Sequence, residues 1–65
     1  MSRKLFVKRT AETEGMGIAG LQVAEVMEME EREDRVMLTV YVKDADGKRS
    51  GPFEVAQDDT EISNQ

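Results

Sequence analysis

The sequence predicts a mostly β fold, a small antiparallel meander, on three observations. Val36 to Val42 alternates with period two and is rich in β-branched and aromatic residues, the pattern of a half-buried strand. Asp44-Ala45-Asp46-Gly47 follows it with turn chemistry, since Asp bonds its own backbone and Gly accepts positive φ. When the chain returns antiparallel from Lys48 to Val55, the apolar residues of both arms fall on one face.

Size bounds the rest. At 65 residues the chain is expected to form one domain, near the limit at which a core offsets chain entropy without disulfides or metal. With 38% hydrophobic and 35% charged residues, that core is a thin layer, and self-association as a homodimer stays open as a supplement. Cys and His are both absent, which removes disulfides, thiolate nucleophiles and the common zinc ligands and fits a reducing compartment, the cytoplasm by default.

At the N-terminus, Leu5-Phe6-Val7 sits between Arg3, Lys4, Lys8 and Arg9. This apolar run is too short for a signal peptide or a membrane span, so neither export nor membrane insertion is expected. Leu5 and Val7 suit a further strand, which would extend the meander into an SH3-like partial barrel of three to five strands.

Gly15-Met16-Gly17-Ile18-Ala19-Gly20 matches G-x-G-x-x-G literally. A dinucleotide site needs the first Gly directly after a strand and a helix N-terminus aimed at the pyrophosphate. Here Glu12 and Glu14 precede the run, so a flexible or tightly turning glycine loop is expected and no cofactor.

Residues 18–34 admit two readings. Glu, Met and Ala favour a helix at about 18–34 packed on a β-sheet, an α+β arrangement with Glu28–Arg32 and Glu31–Arg35 pairs along it. A strand is the leading reading and the helix its rival; the strand turns at Arg32-Glu33 and pairs Met29 with Val36, Met27 with Leu38, Glu25 with Val40 and Val23 with Val42. That register buries Val23, Met27, Met29, Val36, Leu38, Val40, Val42, Phe53 and Val55 together, with Glu25 as the misfit and no Gly or Asn in the turn. Beyond the turn at Asp44, pairing Lys43 with Lys48 sets Val40 opposite Gly51, Leu38 opposite Phe53 and Val36 opposite Val55. Pro52 suits an edge strand, and 57–65 reads as a flexible acidic tail.

Catalysis finds little footing. No Ser–His or Cys–His pair can form, and a chain this short barely encloses the cleft that a working carboxylate pair needs. Asp44-Ala45-Asp46-Gly47 also resembles the start of a calcium loop, but Val55 stands where the twelfth-position Glu would be, so no metal is expected.

What remains is charge. Glu25 to Asp34 holds six carboxylates against one Arg, as much net negative charge as the entire chain at −5. An acidic balance disfavours direct binding to nucleic acid or anionic membranes, even though Arg3, Lys4, Phe6, Lys8 and Arg9 have suitable side chains, and it favours basic protein surfaces. A solvated face that keeps a marginal domain soluble is the plain alternative. The concentration of Glu25, Glu28, Glu30, Glu31, Glu33 and Asp34, with so little lysine among them, points to a non-enzymatic binding protein. In its sharpest form these side chains stand in for phosphates and block a DNA- or RNA-binding channel. In size and charge the chain is similar to the small acidic inhibitors that phages use against restriction and CRISPR machinery. Met37 and Tyr41, outward on the central strand, would centre such an interface. The alternative is a structural or assembly module in which the acid run serves solubility alone.

Overall fold

Strand β3 (Arg35–Lys43) organises the molecule, flanked on one side by β2 (Gln22–Arg32) and on the other by β4 (Arg49–Ala56). The structure, a computed structural model, describes residues 3–64. Before β2 come β1 (Arg3–Val7) and a short helix α1 (Ala11–Met16), and after β4 come a 3-10 turn (Gln57–Asp59) and β5 (Thr60–Asn64). All five strands are antiparallel neighbours in one sheet of order β4-β3-β2-β1-β5. The mostly β expectation therefore holds, and the helix at 18–34 does not form.

Seven residues make the core: Val7, Ile18, Val23, Leu38, Val40, Val42 and Val55. Val7 of β1 and Val55 of β4 share it although two strands lie between theirs, so the sheet curls around these side chains. β-Branched residues dominate, as expected where a pleated surface must pack closely.

The segment between β1 and β2 is built by local hydrogen bonds. Thr10 caps α1: its Oγ1 accepts from Thr13 N at 3.1 Å, while Thr13 Oγ1 accepts from Thr10 N at 2.9 Å, a reciprocal box. Thr13 is wholly buried, and its hydroxyl also donates to Lys8 O at 2.6 Å, fixing the helix to the end of β1. Gly17 ends the helix with φ of 77°, and Ile18 drops into the core. The glycine run thus closes a helix, with Gly15 in its last turn, where a pyrophosphate site needs the glycines to open one, and Gly17 and Gly20 take the positive φ of tight turns.

Both hairpins depart from the expected registers. At the base of β2 the anticipated pair Val23–Val42 is present, but the turn is Glu33-Asp34, with Arg32 opposite Arg35. Bulges at Ala24 and Met27 absorb the two-residue difference, each setting an extra residue against β3. Val26 then faces Val40 and Met29 faces Leu38, and Glu25 moves to the outer face beside Tyr41. Met27 and Met29, expected in the core, are 50% and 68% exposed, because one is a bulge residue and nothing covers the other. In the second hairpin Lys43 faces Arg49, Val40 faces Phe53 and Leu38 faces Val55. The slip is one residue at Lys43 and Val42 and, past a bulge between Val42 and Val40, two residues at Val40 and Leu38, which keeps Phe53 and Val55 inward, so the face was right and the partners were not.

The β3–β4 turn runs as its residues dictate. Asp44 Oδ1 accepts from Asp46 N at 2.9 Å and Lys48 N at 2.8 Å, and Gly47 sits at φ of 81°. Residues 57–64, expected as a flexible tail, instead form the 3-10 turn and β5. Thr60 pairs with Val7 and Ile62 with Leu5, and Lys8 N donates to Asp59 O at 2.7 Å. A strand as buried at one end as β1 needs partners for both its edges, and this segment supplies one. Gln65 of that tail, like Met1 and Ser2, lies outside the described residues.

Gly51 is demanded by its surroundings. Its φ is 142°, and a Cβ there would lie 2.9 Å from Val40 O and 3.0 Å from the Tyr41 ring. Gly51→Ala should lose roughly 1–3 kcal/mol in urea unfolding. Gly47→Ala, in open space, should lose only about 1 kcal/mol through its φ. For Thr13→Val the expected loss is also about 1–3 kcal/mol, because Lys8 O would be left without its side-chain donor.

Candidate partner-binding site

All six carboxylates of the acid run lie on the β2–β3 hairpin, but the fold gives them different company. On the outer face, cross-strand rows run Glu25–Tyr41, Glu28–Thr39–Glu54 and Glu30–Met37–Ala56. Glu31 points to the inner face opposite Val36, and Glu33 and Asp34 form the turn. Neither turn residue has positive φ, so the turn is not of the primed type and has no need of Gly or Asn.

Two of the six carboxylates are neutralised within the chain. Arg49 Nη2 donates to Glu25 Oε1 at 2.5 Å, and its guanidinium lies 5.2 Å from the centre of the Tyr41 ring. Arg32 Nε donates to Glu30 Oε1 at 2.5 Å, and its Nη2 reaches Glu54 Oε2 on β4 at 3.2 Å. The hydrogen bond with Glu30 and the charges of Glu30 and Glu54 raise the Arg32 pKa. These exposed pairs orient side chains more than they stabilise the fold.

The other four, Glu28, Glu31, Glu33 and Asp34, make no ion pair or side-chain hydrogen bond among the described residues. Arg32 lies between Glu31 and Glu33 in sequence but turns to Glu30 and Glu54, and Arg35 directly follows Asp34. The acid run therefore holds two bridged carboxylates, Glu25 and Glu30, with Glu28 unpaired between them and Glu31, Glu33 and Asp34 unpaired toward the turn. Met37 and Tyr41 lie between the two arginine bridges, half-buried on the outer face.

Sequence reasoning overlooked the apolar side of this hairpin. Val26 is 45% exposed, and with Met27 and Met29 it lines β2 beside the carboxylates. The spacing Val23, Val26, Met29 was the available signal, since period three in a strand marks bulges. Among the described residues no group of three or more acidic side chains is arranged to hold a metal ion, and no helix is long and apolar enough to cross a membrane.

Like-charge crowding at the tip should be measurable as strain. The variant Glu28→Gln/Glu31→Gln/Glu33→Gln/Asp34→Asn should melt higher at low ionic strength, by about 4–8 °C if the repulsion totals ~1 kcal/mol. In about 0.5 M salt, where exposed charges are screened, differential scanning calorimetry should find most of that gain gone.

Set against protein-family models, curated proteins and solved structures, the chain matches none of them.

Proposed function

We propose that the protein is a non-enzymatic, cytoplasmic binding protein whose β2–β3 hairpin engages a Lys/Arg-rich surface on another protein. The observation that carries this reading is the set of unpaired carboxylates Glu28, Glu31, Glu33 and Asp34 on a single hairpin whose other two, Glu25 and Glu30, have arginine partners. A solubility role asks only for scattered charge, whereas this hairpin carries four unpaired carboxylates on its two faces and its turn. A rigid ladder presents them without the ordering cost that a flexible polyanion incurs on binding. The sharpest form of the reading is nucleic-acid mimicry, in which the hairpin occupies a basic DNA- or RNA-binding channel and inhibits its owner.

Exposed Val26, Met27 and Met29 favour a second reading, an assembly module joined by apolar contact, in which the charge is a bystander. Salt separates the two, because screened charge weakens and buried apolar area does not.

Proteins captured from a bacterial lysate on the immobilised chain should elute at moderate salt and be displaced by added DNA or RNA. The triple reversal Glu28→Lys/Glu31→Lys/Glu33→Lys should lower affinity for a captured protein by roughly a hundredfold at low salt. Unchanged affinity in that variant, or capture indifferent to salt and to nucleic acid, would assign the acid run to solvation and favour the assembly module.

A further inference from the structure

Among the described residues, β2 has a paired strand on one side only from Ala24 onward. β1 meets it at a single position, Phe6 opposite Gln22, whereas β3 accompanies it to Arg32. From Ala24 to Arg32 every residue is exposed. We propose that this open edge is a strand-addition site for an extended partner segment in which Lys or Arg alternates with apolar residues. The inference rests on the basic-partner reading above and names the form in which that partner binds.

The backbone provides the template. Unpaired N–H and C=O groups along an edge strand accept a further strand readily, and the main-chain bonds supply affinity while alternate side chains supply selection. Past the second bulge, Glu28 to Arg32 pairs with Thr39 to Arg35 without a break, so five consecutive residues offer a regular edge. That is an ordinary strand length.

The side chains say what fits. A strand laid against this edge would continue both faces of the sheet. On the outer face its neighbours would be the carboxylates Glu28 and Glu30, with Arg32 bridged to Glu30 beside them, and on the inner face Met29 and, across the second bulge, Val26, with the carboxylate of Glu31 at the end of that row. Cations opposite the first pair and apolar groups opposite the second are the favourable cross-strand partners. Charge also excludes the commonest rival for an open edge, a second copy of the same strand. Two β2 edges run together would gather Glu25, Glu28, Glu30 and Glu31 from both chains, and like charges across a ladder repel. The bulges at Ala24 and Met27 shorten the usable edge further against indiscriminate pairing.

The test uses the intact chain with a dye-labelled hexapeptide, Arg-Val-Lys-Val-Arg-Val, and the same peptide N-methylated at every internal residue. The two carry equal charge and equal side chains, but only the first can form a ladder. Fluorescence anisotropy should find the unmodified peptide at least roughly tenfold tighter. Hydrogen–deuterium exchange should slow within Ala24–Arg32 when it binds. Equal affinity for the two peptides would overturn strand addition while leaving the basic-partner reading intact, since charge alone would then hold both. Failure of both to bind would also overturn it, with the partner reading judged separately by nucleic-acid competition. Sedimentation as a dimer, with β2 protected and no peptide present, would assign the edge to a second copy and overturn the proposal.

Discussion

A shortage of apolar side chains governs this molecule. Seven buried residues fill the space inside the curled sheet, and they are spent where β1, β3 and β4 converge on Val23 and Ile18. Among the described residues none remain to cover β2 once it runs past β1, so its outer length is held by the ladder to β3 and by the arginine bridges to β4. Charge follows from that geometry. A strand that faces water on both sides and along one edge can carry glutamate at nearly every position, whereas the same residues on β3 would have to enter the core.

Paired and unpaired charge alternate along the hairpin as a result. β4 lies beside its outer face, and its Arg49 takes Glu25 while its Glu54 joins Glu30 on Arg32. Glu28 stays unpaired between these bridges, and Glu31, Glu33 and Asp34 stay unpaired around Arg32 and the turn. The partner proposal draws on those four carboxylates rather than on total charge.

How much of this the sequence disclosed depended on how local each signal was. The β3 alternation and the Asp44–Gly47 turn are decided within a few residues, and both appear as read. The strand at Leu5–Val7 was visible for the same reason. Segment 18–34 was ambiguous for a physical cause: two bulges give Val23, Val26 and Met29 a spacing of three, which imitates one face of a helix as well as a distorted strand. β5 was read as a tail because its residues are polar, and its pairing with β1 is a tertiary matter that no local pattern records. The carboxylates of the site were plain from composition. Which of them would find arginine partners was not, because Arg49 lies 24 residues from Glu25 and meets it only through two hairpins.

The pairing of β1 with β5 sets Arg3 directly opposite Asn64, one ladder step apart. Chain therefore arrives at and departs from this unit at almost the same point. A unit of that shape can be spliced into a surface loop of another protein with short joints, holding the host's loop ends at the separation of two neighbouring strands. The same closeness makes the fold suited to circular permutation, with the connection moved to residues 3 and 64 and fresh ends opened in the exposed turn near Asp46.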